Sequence, residues 1–189
     1  MSATGLTTDA IKNIAANAYA GAALYMTALQ PLTLQSATSV GATSFSVDLS
    51  VAAGDQIVFD LGLPTQETVV VQAVSGAGPY TVTPVSPLAQ AHSLTGSNAG
   101  KQSHVPLTSS TVHEVTGVTR VAANWGSPSP AGVITTAASG ITIGSGKSVG
   151  SVALFSASSA GTYYDASAVA PQSFPSGGTF SPVWVETFA

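Results

Sequence analysis

The segment DQIVFDLGLPTQETVVVQAV, residues Asp55 to Val74, carries the pattern that decides the fold. Two runs rich in Val, Ile and Phe, QIVF and TVVVQAV, are separated by GLPTQ, which contains the typical turn residues Gly and Pro. β-Branched residues and alternation with a period of two favour strands over a helix. The segment therefore predicts two strands joined by a turn.

The same pattern continues on both sides of this segment. TSFSVDLS precedes it and YTVTPV follows it, and AAGD and SGAGP supply the turns between them. Four short strands in a row predict a small β-meander or barrel over residues 32 to 103. The polar stretch GSNAGKQSH, residues 96 to 104, is interpreted as a linker at its end.

Apolar residues recur at helical spacing upstream, from Thr8 onward. They predict one amphipathic N-terminal helix that ends near Gly21 or continues toward Met26. The last part of this region, ALYMTAL, is equally consistent with a first buried strand. Pro31 ends the element in either case.

A second β-rich region extends from residue 112 to the C-terminus. Its strand candidates are VTRVAANW, GVITTAASGITIG, SVGSVALFSA, TYYDASAV and GTFSPVWVETF, with turns at SPSPAG, GSGK, SSAG and PSGG. Short strands joined by such turns favour a sandwich or a barrel. The expected fold class is mainly β, a β-sandwich or jelly-roll-like domain with an N-terminal helix and a second, small β module.

Charge is scarce along the whole chain. Only 6% of the 189 residues are charged, against about 25% in ordinary soluble proteins. A folded chain is expected rather than a disordered one, because disordered chains combine low hydrophobicity with high net charge and this chain has the reverse of both. A surface so poor in charge predicts that other subunits cover much of it, and hence a homo-oligomer rather than a free monomer.

Several partner and cofactor classes are not expected. A net charge of −4 with four scattered Lys and Arg residues argues against nucleic acid. The most apolar N-terminal run carries Lys12, Asn13 and Asn17, so no membrane span is expected, and without Lys or Arg in residues 1 to 8 no export signal is expected either. The absence of Cys excludes disulfides and thiolate metal sites, and no metal or other cofactor is predicted.

Two short motifs resemble nucleotide or nucleophile sites. GITIGSGKS, residues 140 to 148, lacks a Gly at the first position of a phosphate-binding loop, and a strand-like run follows it instead of a helix. A hairpin turn is the preferred interpretation. GKSVG, residues 146 to 150, matches a nucleophile elbow formally, but a strand follows Ser148 and all three His residues precede it.

The ionisable residues give no catalytic pattern, so no enzyme activity is predicted. His92, His104 and His113 lack metal-ligand spacing and are interpreted as surface or partly buried side chains. The acids are spread singly, and those that flank strands are interpreted as solvated turn or cap residues. These flanking acids are Asp48, Asp55 and Asp60.

Two sets of residues have a binding or structural interpretation. Tyr163, Tyr164 and Trp184, together with Trp125, could form a glycan-stacking surface, although core or subunit-interface positions are favoured. Glu114 and Arg120, the only Arg, are expected to form a pair across a loop-strand junction, with Arg120 against Trp125.

Five segments together resemble small β-sandwich proteins of tailed bacteriophages, the minor tail or tail-fibre proteins. They are ALYMTAL (residues 23–29), EVTG (114–117), RVAANWG (120–126), VALFSASSAGTYYD (152–165) and GGTFSP (177–182). The resemblance covers most of residues 1–31 and 104–189. It implies a discontinuous β-sandwich virion domain, into which residues 32–103 are inserted as a small β module. The ends of such an insertion should lie close together.

The resemblance implies a structural role for Glu114, Arg120 and Trp125, which belong to the shared pattern. It predicts a virion protein, assembled in the host cytoplasm, that acts by binding other virion proteins and copies of itself, as a trimer if it forms a fibre. Two alternatives stay open. One is a head decoration or head-fibre protein on the capsid, and the other is a receptor module that binds a host cell-surface glycan.

Overall fold

The computed structural model describes residues 8–96, 98–129, 133–136 and 140–188, with side chains from residue 14 onward. The chain is mainly β, as predicted, with antiparallel sheets and a short N-terminal helix. The elements in chain order are α1 (Thr8–Ala20), β1 (Tyr25–Leu29), β2 (Leu32–Thr33), β3 (Phe45–Val47), β4 (Gln56–Phe59), β5 (Glu67–Ser75), β6 (Tyr80–Pro84), β7 (Lys101–Val105), a 3-10 helix (Ser109–Thr111), β8 (Val121–Ala122), β9 (Val133–Thr135), β10 (Ile141–Ile143), β11 (Lys147–Phe155), β12 (Tyr163–Phe174), β13 (Gly178–Phe180) and β14 (Val185–Thr187).

The N-terminal region contains both of its alternative elements in succession. α1 ends at Ala20, and most of ALYMTAL forms β1. The strand interpretation is therefore confirmed, and a helix continuing to Met26 is wrong. β1 lies between β11 and β8 in its sheet, and its residues Met26 to Leu29 are buried. Burial on both faces explains why β1 does not alternate between apolar and polar residues, with Thr27 as its one buried polar side chain.

Six strands form a nearly closed barrel, in the order β2-β7-β4-β5-β6-β3. A bridge between Leu34 and Val47 brings β3 back beside the end of β2, and the backbone N–H of Gln35 donates to the Ser46 carbonyl at 2.9 Å. Closure pairs nearly every strand on both sides. The core inside contains Leu32, Leu34, Phe45, Val47, Val51, Ile57, Phe59, Val69, Val71, Val82 and Leu88.

The prediction of a linker over residues 96–104 is wrong for its last part, which belongs to strand β7. Residues 101–104 of the polar stretch form, with Val105, a strand between β2 and β4. Gln102 lies opposite Leu32 and His104 lies opposite Ile57, so both polar side chains point into the barrel with these core residues. Sequence patterning missed this strand because its inward positions are polar.

The second β region forms a sandwich. Its main sheet has the order β12-β11-β1-β8, and two small sheets pair β10 with β13 and β9 with β14. Side chains of β10 and β13 pack against those of β1 and β11 in one core, which gives two layers. This core contains Leu24, Met26, Ala28, Val115, Ala123, Ile141, Ile143, Val149, Val152, Leu154, Phe180 and Trp184.

The barrel packs on the other face of the main sheet. Residues Val149–Phe155 of β11 are all buried, because one face meets the sandwich core and the other lies on the side of β7. The Ser103 hydroxyl donates to the Val169 carbonyl, and the Ser151 hydroxyl donates to the His104 carbonyl, each at 2.6 Å. A Cβ at Gly150 would lie 2.7 Å from the Cα of Pro31, so this close contact requires glycine.

The GSGK turn, residues 144–147, is not a hairpin. It joins β10 to β11, and these strands pair with β13 and with β1 and β12 respectively. The Gly146 N–H donates to the Phe174 carbonyl at 2.8 Å, so the turn links two layers. The strand predicted after Ser148 is confirmed as β11.

The two ends of the predicted insertion lie side by side, since Leu32 pairs with Gln102. Its expected boundary after Ser103 falls inside β7, whose last residue is Val105. The division of the chain into a host domain and an inserted module stays a prediction.

Candidate functional site

One end of the barrel contains a buried aspartate–histidine pair. Asp55, 0% exposed, precedes β4 and accepts hydrogen bonds from His104 Nε2 (2.9 Å), Leu107 N (2.7 Å) and Ala52 N (2.9 Å). Burial alone would raise the pKa of Asp55, but these donors outweigh it and hold the pKa below its ordinary value. The carboxylate thus ties β4, β7 and two loops together.

A second buried cluster lies at the other end of β4. Asp60 Oδ2 is 2.7 Å from His92 Nδ1, and Glu67 Oε1 is 2.6 Å from His92 Nε2. Each ring nitrogen of His92 therefore lies at hydrogen-bond distance from a carboxylate oxygen. Phe59 stacks on the imidazole, with 4.3 Å between ring centroids. The cluster joins the loop before β7 to β4 and β5.

These clusters correct two expectations from the sequence. Asp55 and Asp60 are buried rather than solvated, and His92 and His104 are fully buried rather than at the surface or partly buried. Asp48 is exposed and accepts from Thr33 N at 2.7 Å, as a cap residue would. Local sequence patterns do not show these contacts, because each acid contacts a histidine that is far away in the chain.

The predicted Glu114–Arg120 pair is present. Arg120 Nε and Nη2 donate to the two oxygens of Glu114 at 2.9 Å each, and Nη1 donates to the carbonyls of Ala157 and Ala160. These bonds from Arg120 lower the pKa of Glu114 against the opposing effect of burial. The guanidinium holds the loop after β11 against the segment before β8.

The aromatic partner of Arg120 differs from the prediction. Its guanidinium carbon lies 3.5 Å from the ring centroid of Phe155, a cation–π contact. Trp125 instead meets the ring of Tyr19 edge-on, with 5.0 Å between centroids. The expected contact between Arg120 and Trp125 is therefore wrong, since the two side chains lie against different neighbours.

The other three residues of the predicted glycan-stacking surface, besides Trp125, have different environments. Tyr164 is 56% exposed, whereas Trp184 is 4% exposed and belongs to the sandwich core. Trp184 Nε1 donates to Glu186 at 2.7 Å, and the Tyr163 hydroxyl donates to the Pro106 carbonyl at 2.6 Å. Trp184 therefore occupies the core position that the sequence favoured, and the alternative of a glycan-stacking surface does not hold for it, because a buried ring has no free face to stack on a sugar.

Ser and His side chains come close at one point, but not as a nucleophile and its base. His113 Nε2 lies 2.8 Å from the Ser50 carbonyl oxygen and 3.3 Å from the Ser50 hydroxyl. A carbonyl only accepts, so Nε2 carries a proton and donates it. It cannot take a proton from Ser50 in this state. Ser151 contacts the backbone of His104, not its ring.

The described residues contain neither a metal-ligand cluster nor a membrane-spanning helix. No group of three or more His, Cys, Asp or Glu side chains in that part of the chain could hold a metal ion. In the same residues, no helix has both the length and the apolar character needed to cross a bilayer.

Large apolar side chains lie exposed on the outside of the barrel. Val70 on β5 is 40% exposed and Val85 after β6 is 60% exposed, and Val85 N donates to the Val70 carbonyl at 2.9 Å. Both line a shallow groove of about 400 Å³ with Pro87 and Ala89. Among the residues whose side chains the structure describes, the other exposed large apolar ones are Ile14, Val40, Leu94, Leu107, Tyr164, Val183 and Val185.

Comparisons with protein-family models, curated proteins and solved structures give no match to this chain. The resemblance to phage tail proteins therefore rests on the short sequence segments alone.

Proposed function

We propose that this chain is a structural protein of a tailed-bacteriophage virion, a minor tail or fibre component that functions by assembly. It binds copies of itself and other virion proteins, and it has no catalytic role. The sequence segments that resemble phage tail proteins support this proposal. Glu114, Arg120 and Trp125 hold the segment that leads into the sandwich, as the resemblance implies.

The observation that carries the proposal is how the chain uses its few charges. Asp55, Asp60, Glu67 and Glu114 bond to neighbours inside the fold, while valines such as Val85 lie exposed on the barrel. Protein interfaces are depleted in charge at their centres, and soluble monomers seldom combine a charge-poor surface with exposed apolar patches. Neighbouring subunits bound to these faces would remove the charge-poor surface and the exposed apolar side chains from water.

Sedimentation of the purified full chain tests the assembly. We expect a concentration-dependent oligomer that persists at high salt, because apolar contacts are not screened by ions. A single soluble monomer at every concentration would contradict the proposal.

Labelled antibodies on purified particles test the location. We expect a few copies at the tail. A signal over the whole capsid, with many copies per particle, would instead favour the head decoration alternative. Absence of the chain from particles would contradict a virion role.

A further inference from the structure

A polar cleft of about 320 Å³ lies between the barrel and the sandwich. Thr33, Asp48 and Lys101 line it from the barrel side, and Gly146, Lys147 and Ser148 line it from the turn before β11 and the start of that strand. Its volume is at the small end of the range of about 300–1,000 Å³ typical of small-molecule sites. Both lysines begin strands that are paired on two sides, so the cleft is held by the fold.

Lys101 is held without a carboxylate partner. Its Nζ lies 2.6 Å from Ser148 Oγ and 2.8 Å from Ser173 Oγ. Within the described residues, no Asp or Glu oxygen lies within 4.0 Å of the ammonium groups of Lys101 or Lys147. The chain has only four Lys and Arg residues and twice as many acids. Two cations therefore line one cleft in which Asp48 is the only acid among the described lining residues, and the Asp48 carboxylate lies beyond 4.0 Å of both ammonium groups.

Two serine hydroxyls hold Lys101, and one of them, that of Ser148, belongs to a residue that lines the cleft. An ammonium group only donates, so Ser148 and Ser173 accept from it. The two Oγ atoms lie 3.2 Å apart, so the hydroxyls also contact each other. An ammonium group has three N–H donors, and the one that these two hydroxyls leave over suits a carboxylate oxygen of a ligand.

The carboxylate of Asp48 limits which anionic ligands fit the cleft. Its Oδ1 accepts from Thr33 N at 2.7 Å, and Oδ2 has no hydrogen bond to any described residue. A free carboxylate oxygen accepts hydroxyl protons but repels a bare anion. A ligand that fits all these groups carries an anionic group for the lysines and hydroxyls for Asp48.

A phosphate-binding loop does not account for the cleft. The Gly146 N–H already donates to the Phe174 carbonyl, and β11 rather than a helix follows Ser148. Backbone donors and a helix N-terminus are what such loops offer a phosphate. The recognition groups here are side chains.

We propose that this cleft binds an acidic sugar, a saccharide that carries a carboxylate. Lys101 and Lys147 bind the carboxylate, Ser148 and Ser173 hold Lys101 in place, and Asp48 accepts from a sugar hydroxyl. Lys101 belongs to the barrel and Lys147 to the sandwich, so the site is complete only when the two pack together.

Calorimetric titration of the full chain tests the site. The probes are glucuronate and galacturonate, with glucose and galactose as neutral counterparts and acetate and inorganic phosphate as bare anions. We expect at least one uronate to bind saturably and at least tenfold more tightly than its neutral counterpart and than either bare anion. Lys101→Ala and Lys147→Ala should each weaken this binding at least tenfold.

Two variants serve as controls. Lys12→Ala removes the same charge from α1, an element that contributes no described lining residue to the cleft, and should leave binding unchanged. Lys147 is exposed, so Lys147→Ala should keep the wild-type melting temperature and report on binding even if Lys101→Ala does not fold.

Three results would overturn the proposal. The first is that neither uronate binds saturably at millimolar concentration, and the second is that binding survives Lys147→Ala unchanged. The third is that acetate or phosphate binds as tightly as the uronates, since a bare anion would then be sufficient. Sedimentation measures assembly separately, so failure of one proposal leaves the other intact.

Discussion

The barrel and the sandwich differ in whether their sheets have free edges. The barrel closes on itself through the Leu34–Val47 bridge. The main sheet of the sandwich ends in β12, a strand of 12 residues whose only charged residue is Asp165. Long edge strands usually carry charges that prevent pairing with other chains. This contrast predicts that assembly uses the edge of the sandwich at β12 and the outer face of the barrel.

The two regions also differ in where their charges lie. Each end of β4 in the barrel has a buried aspartate bonded to a histidine, Asp55 with His104 and Asp60 with His92. The ion pair of the sandwich lies at its margin, where the Glu114 side chain is 37% exposed. A buried charge that loses its partners costs more free energy than an exposed one. The barrel should therefore be the more sensitive region to loss of a charged group.

The largest expected effect is that of Asp55→Ala in the barrel. The change leaves His104 and the backbone N–H groups of Ala52 and Leu107 without their acceptor in a buried place. We expect the free energy of unfolding to fall by about 3–5 kcal/mol, measured by urea denaturation.

Asp165→Ala is the matched control for this change. Asp165 is exposed and accepts only from the N–H of Ala166 among described residues, so the loss should stay below about 0.5 kcal/mol. Equal losses for the two variants would contradict the view that the barrel depends on its buried acids.

Arg120→Ala should have a smaller effect in the sandwich. It removes the two bonds to Glu114, the bonds to two carbonyls and the contact with Phe155. The expected loss is about 1–3 kcal/mol, measured in the same way. Arg120→Lys keeps the charge but cannot form the paired bonds. Its free energy of unfolding should lie between those of the wild type and Arg120→Ala. If Arg120→Ala has the same free energy of unfolding as the wild type, Arg120 does not stabilise the contact between the loop after β11 and the segment before β8.

Acid should weaken both regions through Asp55 and Glu114. Their ordinary pKa values are 3.8 and 4.5, and both are lowered in the folded chain. The unfolded chain takes up these protons first as the pH falls. Their stabilisation is thus complete above about pH 5 and declines through the ordinary values toward the lowered ones.

Denaturation from pH 6 down to about pH 2.5 measures this decline. Asp55→Asn removes the contribution of the barrel to the pH dependence, and Glu114→Gln removes that of the sandwich. A slope that neither variant changes would assign the acid sensitivity to other groups.

The smallest effect on stability is expected for Val70→Lys. The side chain lies on the outer face of β5, so the free energy of unfolding should change by less than about 0.5 kcal/mol. Self-association should weaken, because the added charge must lose its water in an interface. Ser158→Lys, in the exposed loop after β11, adds the same charge elsewhere. Equal sedimentation of both variants and the wild type would exclude this face from assembly.

Sequence patterning predicted strands where apolar residues alternate or run together. β3, β4, β5 and β6 all lie within their predicted segments or within one or two residues of them. β7 was missed because Gln102 and His104 occupy its core positions and resemble a linker. The ion pair of Glu114 and Arg120 was found because its members lie six residues apart, whereas the ring under Arg120, Phe155, comes from a distant strand.

The sequence by itself determined the β class, the turns and the shortage of charge, since these depend on residue type and on spacing over a few residues. Only the tertiary structure decided where the charges lie. Asp55 and His104 are 49 residues apart, and Asp60 and His92 are 32 apart. Such pairs form only when closure of the barrel brings distant strands and loops together, and the same packing places Lys101 beside Lys147 in one cleft.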